Sequence, residues 1–160
     1  MLSVYLICVG KLKEKFYQEA CAEYVKRLSA YCRLTLVELP EEKLPQAPSQ
    51  GQIDQALARE AAAIRAKLPP SAVLAALCVE GRMRSSEELA QLVGTWEQSS
   101  AKHMVFLIGG SYGLHPSIKA EAHVKLSMSP MTFPHHLARV MLLEQIYRAF
   151  KIREGSSYHK

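Results

Sequence analysis

Three stretches of the chain combine residue types that could do chemistry. The first is Ile108-Gly109-Gly110-Ser111-Tyr112-Gly113. Glycines accept positive φ and let main chain approach a ligand closely. The spacing is G-G-x-x-G rather than the dinucleotide fingerprint G-x-G-x-x-G, and no G-K-[ST] follows, so a P-loop is excluded. The same residues also suit a plain tight turn between a strand and a helix. The second stretch is Leu126-Ser127-Met128-Ser129-Pro130-Met131-Thr132-Phe133-Pro134-His135-His136. A loop of small hydroxyls and apolar side chains can line a slot for a flat aromatic ring, with main-chain N–H and C=O groups reading its edge. As a mere connector it would instead lend its Met and Phe to the core. The third is the basic end of the chain: Arg139, Arg148, Lys151, Arg153, then Gly155-Ser156-Ser157-Tyr158-His159-Lys160. This is either a solvated helix face with a frayed terminus or a tail that reaches into a neighbouring site. His135 and His136 are adjacent, and adjacent helical residues point apart. No other His, Cys or acid has ligand spacing, so no metal is expected.

These stretches need elements to hold them. Leu2–Val9 is a short apolar run ending at Gly10, which reads as a buried strand. A helix follows from Glu14 to about Ser29, with Phe16, Ala20, Tyr24 and Leu28 on one face. Leu34–Leu39 is the next strand, and Pro40–Gly51, with three prolines, is a loop. Gln52–Leu68 is a helix with Ile53, Leu57, Ile64 and Leu68 on one stripe, ended by Pro69-Pro70. Ala72–Val79 is a continuous apolar run, as in a strand covered on both faces. Ser85-Ser86-Glu87-Glu88 fits a capping box opening a helix through Trp96, with Leu89, Leu92, Val93 and Trp96 inward. His103–Ile108 is a buried strand, Pro116–Ala122 a short helix and Val124–Met128 a short strand. Pro134 opens a last helix to about Phe150, proline being favoured in a first turn. Five strands alternating with helices imply an α/β fold, a mostly parallel sheet flanked by helices on both faces. In such sheets ligands bind beyond the carboxyl ends of the strands, where Gly81, Gly109, Gly110 and Gly113 fall.

Length and composition bound the answer. The 160 residues fit one domain spanning 1–160, and 49% apolar with 22% charged residues is globular usage. No run approaches the ~20 apolar residues of a membrane span. The apolar start lacks a basic leader and does not read as a signal peptide. Cys8, Cys21, Cys32 and Cys78 form no C-x-x-C pair and read as buried thiols of a cytoplasmic protein. The net charge of +5 is uneven: residues 1–33 carry six basic and three acidic side chains, 34–118 seven and nine, and 119–160 seven and three. A basic excess at both ends suits an anionic partner such as nucleic acid.

The order of the motifs is more specific than any one of them. A strand ending near Leu77, the I-G-G-x-x-G-L turn, the L-S-x-x-x-M-T-F-P-H loop, an R-V-x-L-x-E-Q-x-Y-R-A-F helix and a terminal Y-H-K occur together. The chain in this respect resembles the RlmH (YbeA) family of SPOUT methyltransferases, which methylate N3 of a pseudouridine in 23S ribosomal RNA. The likeness extends to Val9-Gly10-Lys11-Leu12-Lys13-Glu14-Lys15 and so covers nearly the whole chain. It implies a SPOUT fold with a C-terminal trefoil knot, although true knots are rare. It implies S-adenosyl-L-methionine as cofactor, with Leu77 on its adenine side and Gly109 against it. Met128, Ser129, Pro130, Met131, Thr132 and Phe133 wrap its other side. Family members often carry an acidic residue where this chain has Cys78. The family is homodimeric, with the site where two subunits meet and the RNA presented by the assembled ribosome. The apolar Leu137, Val140, Met141, Leu143, Ile146, Tyr147 and Phe150 are wider than one core-facing stripe and are consistent with pairing; a helix sandwiched in its own domain would look the same.

The implied reaction sets demands on side chains. The donor is a sulfonium, so the leaving group comes already activated. Ring N3 of a uracil-type base carries a proton and is poorly nucleophilic until it leaves, so a base or a cation stabilising the ring anion helps. Arg139 is the candidate for the anion or a phosphate. His135, Tyr158 and His159 are candidates for base or base-positioning roles, with Tyr158 better suited to stacking or hydrogen bonding. Lys11, Lys13, Lys15, Arg148, Lys151 and Arg153 are candidates for phosphate contacts. Two other readings stay open: a non-catalytic ribosome-binding or assembly factor, and a SPOUT methyltransferase acting on another RNA such as transfer RNA.

Overall fold

The alternation of side chains along the central strands decides which helices go where. In the computed structural model, which describes residues 1–160, the elements are β1 (Leu2–Val9), α1 (Lys15–Leu28), β2 (Cys32–Leu39), α2 (Gln50–Lys67) and β3 (Ala72–Met83). They continue with α3 (Ser86–Gln98), β4 (His103–Ile108), α4 (Pro116–Glu121), β5 (Val124–Ser127) and α5 (His135–Arg153). Val4, Leu6 and Cys8 of β1 and Met104, Phe106 and Ile108 of β4 share one core with Leu28, Leu89, Val93, Trp96, Leu143 and Ile146 of α1, α3 and α5. Ile7, Val9, Val105 and Leu107 face the other way, onto Ala61, Ile64 and Ile118 of α2 and α4. This is the two-residue period of a strand buried on both faces. Each fully buried Leu, Ile, Val or Phe contributes about 1.5–3 kcal/mol.

All strand pairs are parallel, in the order β2-β1-β4-β3-β5. The expected α/β sheet with helices on both faces is therefore present, and it is wholly parallel. Ser85 and Glu88 form the expected capping box of α3, and Ser49 and Gln52 form another at α2.

Three local expectations need correction. Phe16 is not on the inward face of α1; it is 63% exposed, while Cys21 and Leu28 are buried. Steps of four residues at 100° each drift by about 40°, so Phe16 and Leu28 end roughly 120° apart. The Cys21, Tyr24, Leu28 spacing keeps to one stripe. Strand β3 does not stop at Val79. Both Leu77 and Arg82 pair with Leu126, so residues 78–81 bulge out of the ladder, with Gly81 in the position where a strand glycine marks such an irregularity. Finally, Pro134 is the residue before α5 rather than its first turn, with φ −52° and ψ 136°.

Candidate active site

The bulge of β3, the turn after β4 and the loop after β5 leave the sheet at the same edge. Together with the start of α5 they enclose a cavity of about 720 Å³, within the roughly 300–1,000 Å³ of ligand pockets. Of the residues singled out for a cofactor, Leu77, Gly109, Met128, Ser129, Met131, Thr132 and Phe133 line it; Pro130 does not. The rim exposes apolar surface: Val79 is 56%, Tyr112 49% and Met131 72% exposed. The N–H groups of Thr132 and Phe133 donate to no protein acceptor, while that of Met131 is taken by Ser129 Oγ at 3.0 Å.

The glycine turn is held by itself and by one acid. Gly113 N–H donates to Gly110 C=O at 3.0 Å. A Cβ on Gly109 would lie 2.3 Å from Gly113 O, so glycine is required there by the turn's own backbone. Glu41 accepts from Ser111 N–H at 2.7 Å and lies against Gly110. Sequence reasoning missed Glu41. The available signal was its place just beyond the carboxyl end of β2, on the same sheet edge as the glycines.

His135 stands on the cavity wall. Its Nε2 is buried without a hydrogen-bond partner, 4.0 Å from Glu41 Oε2. Burial and the neighbouring His136 hold its pKa below the ordinary histidine value, so the ring is neutral near pH 7 and able to accept a proton. The rings of His135 and His136 do not point apart: their centroids are 4.2 Å apart, edge to face. No group of three or more His, Cys, Asp or Glu has the arrangement to hold a metal ion.

Arg139 is not at the cavity. It is 1% exposed, donates to Glu38 Oε2 at 2.6 Å and to Gly10 C=O at 2.9 Å, and its Nε has no partner. It binds the ends of β1 and β2 to the first turns of α5. Burial pulls the Glu38 carboxyl upward, but Arg139 and the Leu12 N–H outweigh it and hold it below the ordinary value.

Tyr158 and His159 lie apart from the cavity, folded back on α5. Tyr158 OH donates to Glu144 Oε1 at 3.2 Å, and its ring meets Tyr147 edge-on. Burial and Glu144 push its pKa up, which removes it as a base at neutral pH. Arg148 donates to His159 Nδ1 at 3.1 Å and Nε2 faces Glu87 Oε1 at 2.7 Å. Arginine only donates, so the proton sits on Nε2. Glu144, with Val140 and Met141, also lines a second hollow of about 550 Å³, which shares Ser127 and Met128 with the cavity.

The four thiols are free, and Cys78 differs from the others in lining the cavity. Burial pushes Cys8 up to about 12 and Cys32 up to about 11, so both are inert. Among the six cations singled out for phosphate, Arg148, Lys151 and Arg153 are engaged by Glu144, Glu154 and Glu97. Lys15 meets Glu19 only at the surface, at 3.8 Å, and Lys11 and Lys13 have no carboxylate within ion-pair distance.

Residues 2–159 match the family model described as "Predicted SPOUT methyltransferase". The chain belongs to the SPOUT methyltransferase family. Its fold is also similar to the solved structure of a probable methylase family protein from Haemophilus influenzae Rd KW20. The TM-score is 0.55 and the identity 15%, over all of this chain and 72% of that one. Family membership implies an enzyme that uses S-adenosylmethionine to methylate RNA. The cavity fits such a cofactor: it has apolar walls for adenine, free main-chain donors at Thr132 and Phe133, and a volume suited to a nucleoside with a short tail. No helix is long and apolar enough to cross a membrane.

Proposed function

We propose that this SPOUT protein methylates N3 of a pseudouridine in 23S ribosomal RNA, acting on the assembled ribosome in the cytoplasm as a homodimer, as one domain with a trefoil-knotted C-terminal third. The observation that carries the methyl-transfer reading is the cavity, where residues from three separate chain stretches meet with unsatisfied N–H groups beside apolar walls.

S-adenosylmethionine, when bound, supplies an activated methyl group. The chain supplies the rest. Leu77 and the loop from Met128 to Phe133 hold the cofactor, with Pro130 shaping the loop from outside the cavity, and the Gly109–Gly113 turn forms the facing wall. Neutral His135 is the group on that wall able to take the proton from ring N3. Arg139 acts at one remove, by fixing the start of α5 and with it His135. Excluding bulk water strengthens every such interaction.

The half-exposed Val140 and Met141 of α5, bordering the second hollow, favour a second copy of the chain there. Such pairing brings the tail of one protomer toward the cavity of the other, which gives Tyr158 and His159 a role in holding the RNA base. Deleting Tyr158–Lys160 is then expected to leave cofactor affinity within about twofold and to lower methyl transfer by about 100-fold or more, the scale of a missing general-acid/base or positioning group. Full transfer activity would leave the tail as a surface strap on α5. Calorimetric titration with S-adenosylmethionine tests the site itself. One molecule bound per chain is expected, and absence of binding would move the reading to a non-catalytic RNA-binding factor.

A further inference from the structure

The exposed apolar side chains at the cavity rim have an evident use, but Phe16 does not belong to that rim. It stands 63% exposed in the first turn of α1, where a ring of this size ordinarily gains from burial. Its ring is 4.4 Å from that of Tyr17, Tyr17 meets His136 edge-on at 6.2 Å, and His136 meets His135 at 4.2 Å. His135 is on the cavity wall. A file of four aromatic rings thus leads from solvent to the site. Lys11 and Lys13, both exposed and without carboxylate partners, lie on the segment that feeds Phe16. Of the nearby acids, Glu38 holds Arg139 and the Leu12 N–H, Glu14 lies 3.6 Å from His136, and Glu19 meets Lys15 at 3.8 Å.

Aromatic faces interleaved with free cations are what single-stranded nucleic acid requires. Bases stack on rings whatever their identity, and lysines meet the phosphates. We propose that Phe16, supported by Tyr17 and flanked by Lys11 and Lys13, is a stacking platform for an unpaired RNA base next to the nucleotide that enters the cavity. This rests on the reading of the cavity as an RNA methylation site. A second copy of the chain would be the competing occupant; the two exposed lysines without carboxylate partners favour an anionic one.

The test is binding of a short fluorescein-labelled single-stranded RNA, followed by anisotropy over a range of salt. Phe16→Ala is expected to weaken binding about tenfold or more with an unchanged salt slope, while Phe16→Trp binds at least as well as the parent. Lys11→Gln with Lys13→Gln is expected to reduce the salt slope, by about 0.7 for each phosphate that a lysine no longer neutralises. Equal binding by Phe16→Ala and parent would overturn the platform. So would a change in sedimentation of Phe16→Ala, which would make the ring a contact between copies. Titration of the parent with S-adenosylmethionine is run in parallel. Its failure would sink the methylation reading while leaving the RNA measurement interpretable on its own.

Discussion

Replacing Gly109 by valine is expected to abolish binding of S-adenosylmethionine while leaving the sheet intact. A Cβ at this position would lie 2.3 Å from Gly113 O, 2.4 Å from its carbonyl carbon and 2.9 Å from Leu114 N. All three are backbone, so no side-chain rotation relieves the clash. The turn must open, breaking the pairing of Gly110 with Gly113 and displacing Ser111 from Glu41. Residues 109–114 all line the cavity, so one of its walls moves. Loss of affinity should exceed about 100-fold, about 2.8 kcal/mol, because a whole wall of the cavity is displaced. Strand β4 ends before the turn and keeps its pairing with β1 and β3, so circular dichroism should report a folded domain. Gly109→Ala should fail in the same way, because the first added carbon already clashes. Unchanged affinity in a folded variant would remove this turn from the cofactor site.

The second large effect is on stability. Glu38→Leu is expected to cost about 3–5 kcal/mol, the range for stranding a buried charge, and to lower Tm by roughly 6–20 °C for a domain of this size. Arg139 would then keep a single partner, the Gly10 carbonyl, for a guanidinium that is 1% exposed. Arg139→Met should cost less, because Glu38 is one-third exposed and can turn to water. The double variant should recover much of the stability that Glu38→Leu removes, as an apolar pair of similar volume often replaces a buried ion pair at little cost. The pH dependence has a definite sign. The Glu38 carboxyl is held below its ordinary value of 4.5, so its contribution is complete above that pH and is lost as pH falls through the folded-state value. The Tm gap between parent and Glu38→Leu should therefore narrow on acidification below 4.5. A constant gap, or none, would show that the pair does not hold these strand ends together.

The elements were legible where the chemistry was local. Strands β1 and β4 match the apolar runs Leu2–Val9 and His103–Ile108 to the residue, since glycine follows both runs directly. The capping box at Ser85 needs only four consecutive residues. The loops of the site were legible for the same reason: Gly109 and Met128 to Phe133 are motifs in contiguous sequence, and all but Pro130 line one cavity. What failed was what depends on distant partners. The bond from Ser111 to Glu41 spans 70 residues and that from Arg139 to Glu38 spans 101, so neither acid could be named from spacing. Arg139 nonetheless carried a readable sign. It falls in step with Leu142, Leu143, Ile146 and Phe150, the buried stripe of α5, which places an arginine toward the core rather than toward substrate.

Methyl transfer to a base in ribosomal RNA can be measured directly. S-adenosylmethionine labelled in the methyl group is incubated with this protein and with ribosomes lacking the modification, and the large-subunit RNA is digested to nucleosides. Label is expected to appear as N3-methylpseudouridine, and none is expected with the Gly109→Val protein. Label absent from ribosomal RNA, in a preparation that binds the cofactor, would contradict this expectation and send the search for a substrate to other RNAs.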